Sequence, residues 1–569
     1  MKNLEIAKIL DNIADLLELQ GVEFKPRAYR NAARGIENLS EDIADVYQRG
    51  ELEEIPGVGK SIAEKIAEYL DTGKLKYYGQ LKKQAKVDVE ELNLIPGLGP
   101  KKIKLLYDRL KIKNINDLEK AIKQHKLKQL PGFGEETEQN FLRGIQFVKA
   151  KPHRFLYAQA QPIVEEICSK FSKYPFVKKI EIAGSFRRGK ETVGDLDLLA
   201  VSDQPEKVMQ LFTSLPDLKE VLAHGPAKSS IRLTNNLQID LRVVKEKEWG
   251  SALMYFIGNK DHNIKLRKLA LSKGYTLSEY GLFKVKGKKW LAGRTEEEIY
   301  RQLNLNYIPP EMRENNGEIE ASQQQQLPKL IAAKDIQGIF HNHSRWSDGS
   351  HTLLEMAQAA EKMGFKFISF NDHYGPIGIT NPLDEKRLKG YLKEIEAVRK
   401  KTNLRIFSGI EVDILKDGTL PLPKSKLSQL DVVIAAVHLS TKMPEAAMTS
   451  RVCAALENYP INILAHPTNR LLNSREGIQI NLEKVFQAAK ANKVFLEINA
   501  APERMDLSGE NIRAALSLGC KFALSTDAHD LQQLRYYNFG VNLARRGWLG
   551  KNDILNCWDL SKIEKMLKR

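Results

Sequence analysis

Between residues 365 and 526 six short apolar runs recur: FKFISF, LRIFSGIEV, VVIAAVH, INILAH, VFLEINA and KFALST, with helical stretches alternating between them. Such alternation is the pattern of parallel β/α units, in which each strand is buried and each helix covers it. Polar chemistry gathers at the ends of these runs. Of the chain's eleven histidines, those at 341, 343, 351, 373, 438, 466 and 529 fall in this half. They stand in HNHSRWSDGS (341–350), FNDHYG (370–375), AAVHLS (435–440), LAHPT (464–468) and STDAHD (525–530), with GIEVD (409–413) and LEINA (496–500) between them. The C-terminal strand ends are where β/α barrels build their sites. His341 and His343 are two apart and share a face, and Asp527 and His529 repeat that spacing. Imidazoles mixed with carboxylates suit zinc, manganese or iron, and the residue types do not choose among them.

The 569 residues correspond to about four domains at roughly 150 residues each. A hydrophobic share of 42% with 28% charged residues excludes a disordered chain. No run approaches the ~20 apolar residues of a membrane helix, and the charged N-terminus is unlike a signal peptide. The four cysteines form no CxxC pair, which argues against a disulfide scaffold and fits a reducing cytoplasm. The formal charge of +16 favours an anionic partner such as nucleic acid, although the excess is spread over both halves and selects no face. The polar, low-complexity stretch 315–328 reads as a linker between a histidine-poor and a histidine-rich half.

Residues 1–150 read as helices punctuated by IPGVGK (55–60), IPGLGP (95–100) and LPGFGE (130–135). In each, two glycines permit a tight turn, and the next helix presents free N–H groups to a phosphate. One such motif is equally a plain turn between packed helices; three within 80 residues favour backbone contacts to DNA. Glu135 and Glu136 follow the third motif and would repel phosphate, which leaves that copy a structural role.

Residues 176–244 switch to strand patterns. In AGSFRRGKETVGDLDLLA (183–200) a strand runs to Gly184, and Ser185 opens a helix. Asp195 and Asp197 are two apart on the next strand and point the same way. Asp240, in LQIDLRV, sits on a later strand able to pair alongside. Carboxylates crowded in this way are stable as anions with a cation between them. Three oxygen donors suit Mg²⁺ or Mn²⁺, and two such ions would align a hydroxyl with a triphosphate. Ser185 and Arg188 would donate to that triphosphate, and Gly194 would let it approach the backbone.

These motifs, with YFIGNKDHNIKLR (255–267), resemble the family X DNA polymerases over residues 1–315. The resemblance implies metal binding and catalysis by Asp195, Asp197 and Asp240. It places Tyr255, Phe256 and Gly258 against the incoming nucleotide, Asn263 at its minor-groove edge and Arg267 at the template. It also implies that Arg242, next to the third carboxylate, pairs with it or its neighbours when the site opens. Ile257 and Asn259 depart from the family's usual YFTGS. Gly57, Gly59, Gly97 and Gly99 would hold DNA as helix-hairpin-helix motifs. IPGVGKSIAEKIAEYLDTGKL (55–75) is similar to the lyase domain of polymerase beta, which implies a Schiff-base role for Lys65 supported by Lys25 and Tyr29. Phe24 and Ser61 depart from that pattern, and a solvated lysine beside DNA is the alternative.

Residues 335–569 resemble the PHP (polymerase and histidinol phosphatase) domain, a distorted β/α barrel with up to three Zn²⁺, Mn²⁺ or Fe ions. The resemblance implies the ligands His341, His343, Asp348, His373, Glu411, His438, His466, Asp527 and His529. Glu411 would bridge two metals, Asp372 would orient His373, and Glu497 and Asn499 would line the site. His351 matches no ligand position.

The expected chain is therefore multidomain. It comprises an α-helical helix-hairpin-helix region (1–80 lyase-like, 81–150 DNA-binding), an α+β nucleotidyltransferase palm (151–250) and thumb (251–315), a linker (316–334) and the PHP barrel (335–569). The implied function is filling short gaps in DNA base excision repair from deoxynucleoside triphosphates on gapped or nicked duplexes. A metal-dependent 3′→5′ exonuclease or abasic-site endonuclease would accompany it. The expected form is a cytoplasmic monomer with no membrane partner. A small-molecule phosphatase in the C-terminal half and a non-catalytic gap-binding scaffold are the competing readings.

Overall fold

A computed structural model describes all residues except 1, 38, 40–42, 94, 96, 97, 131, 150–153, 377 and 569. Contacts divide the chain into two units, one of residues 1–153 with 264–276 and one of residues 154–263 with 277–569.

The first unit is helical. α1 (Lys2–Leu19) buries Ile6, Leu10, Ile13 and Leu17, which recur at helical spacing along one face, and α2 (Lys25–Glu37) packs against it. α3 (Lys60–Thr72) begins at Gly59, and α4 (Pro100–Leu110) begins at Gly99 with Pro100 in its first turn. Pro is tolerated there because that N–H has no intrahelical partner. Gly57 has φ +87°, and a Cβ on it would lie 2.8 Å from the Asn31 carbonyl carbon, so the first motif admits no side chain at this position. The third motif leads into α5 (Glu135–Lys149). Here an acid does serve structure: buried Glu138 accepts from the N–H groups of Leu127 and Lys128.

The second unit contains two sheets that matter for function. In the five-stranded sheet, β1 (Lys179–Ile182), β2 (Asp195–Val201), β3 (Leu218–His224), β4 (Lys228–Leu233) and β5 (Gln238–Val244) lie in the order β1-β2-β5-β4-β3. Only the β2–β5 pair is parallel. β1 ends at Ile182, two residues earlier than expected, because Gly184 already begins the short helix α6 (Gly184–Arg187). α7 (Trp249–Ile257) packs on β2. Residues 316–334, expected as a linker, include the helix Glu318–Gln323. Its Glu318 is buried and lies 2.6 Å from His262 Nδ1, which ties the segment to the fold.

The other sheet is a closed parallel barrel of seven strands: β6 (Gly338–Asn342), β7 (Phe367–Phe370), β8 (Arg405–Asp413), β9 (Val432–Ala436), β10 (Ile463–Leu464), β11 (Phe495–Asn499) and β12 (Phe522–Ala528). Phe340, Phe367, Phe407, Ile434, Ile463 and Phe495 fill one end of its interior. α8 (Tyr537–Arg546) follows the last strand, and α9 (Leu560–Leu567) packs Ile563 and Leu567 into the apolar end. Each large apolar side chain buried there contributes roughly 2–3 kcal/mol of transfer free energy. Among the described residues no helix is long and apolar enough to cross a membrane.

Candidate active sites

In the five-stranded sheet, Asp197 lies directly opposite Asp240, and Asp195 opposite Gln238. Parallel pairing thus brings the three expected carboxylates to one place on β2 and β5. Leu196, Leu198 and Leu199 are buried while Asp195 is exposed, so the strand is anchored in the core and its acids open to solvent. Burial raises the Asp197 pKa to about 6, and the Asp195 and Asp240 charges push in the same direction. Burial and the Asp240 charge also raise Asp195. This is the electrostatic signature of a site short of positive charge. The donor set, three carboxylates and no soft ligand, fits a divalent cation such as Mg²⁺ or Mn²⁺. Gly184 has φ +62°, and a Cβ on it would lie 2.3 Å from Asp197 Oδ2.

The surrounding residues are placed as follows. Ser185 lies on α6, directly after Gly184. Arg188 donates from Nε to Glu314 (3.0 Å) and from Nη1 to the Ile257 carbonyl. A Cβ on Gly194 would meet Arg154 Nη1 at 3.5 Å. Tyr255 and Phe256 close α7 with their rings edge to face at 5.1 Å, and Gly258 ends it with φ +56°. Asn263 Nδ2 donates to the Tyr255 carbonyl (2.7 Å). Arg242 stacks its guanidinium 4.5 Å from the Phe256 ring centre in a cation–π contact. From there its charge still lowers the Asp197 pKa. Arg267 lies on the helix Lys260–Ser272.

In the helical unit, Lys65 is half-buried, donates to Ser61 O and Oγ, and sits 5.1 Å from the Tyr77 ring centre. Tyr29 is buried and stacks on Tyr77 at 6.4 Å, while Lys25 opens α2. Gly97 lies outside the described residues.

The barrel mouth holds the second site. Glu411 is at its centre. Its Oε2 lies 2.9 Å from His373 Nδ1 and 3.2 Å from His341 Nε2, and its Oε1 lies 3.2 Å from His466 Nε2 and 3.3 Å from His438 Nε2. Asp527 lies 3.3 Å from His343, and Asp348 lies 3.4 Å from His529 and 3.6 Å from His373. All nine expected ligand residues therefore converge. Three subsets are compact enough to hold one ion each: His343, Asp348, His373 and His529; His341, His343 and Asp527; His373, Glu411 and His438.

Several facts show that these residues suit metal. Both ring nitrogens of His343, the inward Nε2 of His341 and Nδ1 of His373 are buried without a hydrogen bond. Such atoms are costly to bury unless something else engages them. Burial disfavours charge on His343, and the neighbouring His529 and His373 reinforce it, leaving its pKa at about 3, the neutral form a metal takes. Burial opposes ionisation of Glu411, yet the imidazoles of His341, His373 and His438 hold its pKa well below the usual carboxylate range. His341 and His466 also carry left-handed backbone, φ 58° and 24°. Each follows an interior residue, Phe340 or Ala465, so simple strand alternation would turn it outward. The local twist, with a register shift between Ile339 and Asn342, re-aims His341 into the mouth.

Other residues emerge from the structure. Glu497 Oε1 lies 2.6 Å from His341 Nδ1, and its Oε2 accepts from the His466 N–H, so it orients two ligands rather than merely lining the site. Asp413 accepts from the His438 N–H. Its place two residues after Glu411 was the available signal. Asp372 does not serve His373 as expected; it accepts from the N–H and hydroxyl groups of Ser344 and Ser347 and pins the loop after β6. His351 directly precedes Thr352, the cap of the helix Leu353–Lys362, as its non-ligand reading implied. Arg475 and Arg504 both bond Asn469 Oδ1 and line the cleft of about 510 Å³ over the expected metal ligands. Nothing in their local sequence marked either arginine.

Comparisons with known proteins match this arrangement. Residues 252–314 match the DNA polymerase beta thumb, residues 340–501 the PHP domain, residues 1–75 a helix-hairpin-helix domain and residues 89–146 a helix-hairpin-helix tandem. The whole chain is 36% identical over 573 residues to the whole of the DNA polymerase/3′-5′ exonuclease PolX of Bacillus subtilis.

The chain belongs to the family X DNA polymerases with a C-terminal PHP domain. It is an enzyme with a nucleotidyltransferase site and a second, hydrolase-type site. DNA polymerase lambda of Rattus norvegicus is 26% identical over 340 residues, covering 55% of this chain and 56% of that protein. A "Probable phosphatase" of Thermoanaerobacter sp. is 30% identical over 241 residues, covering 40% of this family X chain and 93% of the relative.

Proposed function

We propose that this enzyme fills short gaps in DNA during base excision repair and trims 3′ ends through its barrel site. The observation that carries the first half is the Asp195, Asp197 and Asp240 cluster, joined across β2 and β5, in which the Asp195 and Asp197 pKa values are raised. These three residues hold Mg²⁺ or Mn²⁺, which lowers the barrier to joining a primer hydroxyl to a nucleotide α-phosphate and stabilises the pyrophosphate leaving group. Ser185 and Arg188 donate to the triphosphate, and Gly194 gives it room. Tyr255, Phe256 and Gly258 form the wall against the sugar, Asn263 faces the base edge, and Arg267 contacts the template. Gly57, Gly59 and Gly99 bring helix N-termini to the duplex backbone.

At the barrel, His341, His343, Asp348, His373, Glu411, His438, His466, Asp527 and His529 hold up to three Zn²⁺, Mn²⁺ or Fe ions. Such ions supply a nucleophile at neutral pH and polarise the phosphodiester. Arg475 and Arg504 hold the non-bridging oxygens, as paired cations over a metal cleft can. The 3′→5′ direction follows the Bacillus subtilis relative's name. The phosphatase relative supports a second reading, in which the barrel cleaves phosphate monoesters. Lys65, cushioned by Tyr77, is the candidate amine for removing a 5′-deoxyribose phosphate. The enzyme acts as a cytoplasmic monomer on gapped or nicked duplexes.

The test pairs two variants on a gapped duplex. Asp195→Ala with Asp197→Ala abolishes nucleotide addition and spares degradation, and His341→Ala does the reverse. Loss of both activities in either variant overturns the two-site reading. Release of phosphate from monoesters, with intact 3′ ends left untouched, would replace the exonuclease by the phosphatase.

A further inference from the structure

The segment 188–191, immediately after α6, rests on the PHP half of the chain. Arg546, the last residue of α8, donates from Nη1 to the Arg188 carbonyl (3.1 Å) and to Glu314 Oε1 (3.2 Å). The same Glu314 oxygen accepts from Arg188 Nε, and Lys190 Nζ lies 3.2 Å from its other oxygen. Gly189 turns with φ +69°, and a Cβ there would lie 3.5 Å from Asn542 Cβ, so α8 packs directly under the turn. Glu191 Oε1 meets Arg470 of the barrel at 3.4 Å. Tyr157, the first residue of the helix Tyr157–Phe171, stacks on Phe186 at 4.3 Å and meets Phe539 of α8 edge to face at 5.9 Å.

The consequence is geometric. Arg188 is held on its side chain by Glu314 and Ile257 and on its backbone by Arg546. Arg546 is almost wholly buried, and its Nη1 donates to both acceptors at once. Hydrogen bonds from a buried guanidinium are directional, and they fix loop geometry.

We propose that Arg546, supplied by the nuclease domain, is a positioning residue for nucleotide addition. It acts through Glu314 and the Arg188 backbone, and the proposal rests on the reading that Arg188 binds the triphosphate. The polymerase site is then complete only when the barrel is docked against it.

The test uses full-length enzyme, a single-nucleotide gap and a primer with a phosphorothioate 3′ linkage that resists trimming. Arg546→Met raises KM for the incoming nucleotide at least fivefold and changes kcat less than twofold. Its degradation of a labelled single strand stays within twofold of the parent, which reports an intact barrel. Arg546→Lys gives a smaller KM rise. Arg188→Met raises KM as well, and the Arg188→Met, Arg546→Met double variant is no worse than Arg188→Met alone. An unchanged KM in Arg546→Met, with a raised one in Arg188→Met, overturns the proposal. An unchanged KM in Arg188→Met overturns the triphosphate reading beneath it. If Arg546→Met loses both activities, Arg546→Lys and Glu314→Gln decide: a selective KM rise in folded protein supports the proposal, and parental KM values overturn it.

Discussion

Glu497 Oε1 lies 2.6 Å from His341 Nδ1, on the side of the ring away from Glu411. A carboxylate in that position fixes the tautomer and leaves Nε2 free to bind. Residues that orient metal ligands in this way are worth ~10–100-fold in metal affinity. Glu497→Gln therefore weakens metal retention at the barrel by about that factor. Elemental analysis after dialysis, together with degradation assays, reads the loss, and gap filling stays at the parental level.

Asp197 faces Asp240 across the parallel pair, and burial with mutual repulsion raises its pKa to about 6. Holding it ionised at neutral pH costs stability when no cation is bound. Asp197→Asn removes that cost and stabilises divalent-free protein by about 1–3 kcal/mol. It also abolishes nucleotide addition and shrinks the thermal stabilisation by Mg²⁺. Melting curves with and without Mg²⁺ check both signs. A variant less stable than the parent in chelator would contradict the account.

Gly184→Ala places a Cβ 2.3 Å from Asp197 Oδ2 at a backbone φ of +62°. Neither the left-handed conformation nor the displaced carboxylate is tolerated without movement. Nucleotide addition falls at least about 100-fold, because a misplacement near 1 Å costs that much. The barrel activity, built on other strands, is unchanged. Single-turnover extension beside a degradation assay measures the two.

Much of this was legible in residues. The apolar runs predicted the barrel strands, and alternation with period two puts Glu411, His438, Glu497 and Asp527 on one face as the structure does. His341 and His466 fall out of that phase, and only their left-handed backbone brings them in. In the polymerase sheet the spacing of Asp195 and Asp197 fixed their shared face, but the register that sets Asp197 opposite Asp240 depends on strand pairing. Arg475, Arg504, Glu314 and Arg546 carried no local signal. Arg504, Glu314 and Arg546 bond partners distant along the chain, as in the pairing of Arg188 with Glu314, while Arg475 bonds Asn469, six positions away. The polar stretch 315–328 misled because burial of Glu318 depends on His262, a partner 56 positions away.

Glu314 joins Arg188, Lys190 and Arg546, and although burial alone would raise its pKa, these cations hold it at about 2 against an ordinary value of 4.5. The folded carboxylate thus stays ionised where the unfolded one takes up a proton. Its contribution is fully present above pH 4.5 and is lost as pH falls from there towards 2. The full effect is about 3 kcal/mol. Glu314→Gln keeps the shape and removes the charge, leaving the three cations uncompensated. The parent accordingly exceeds the variant in stability at pH 7, and the gap narrows steadily below pH 4.5. Urea unfolding of both proteins between pH 3 and pH 7 follows that gap. A difference constant across this range would show that the carboxylate is not held ionised by its neighbours.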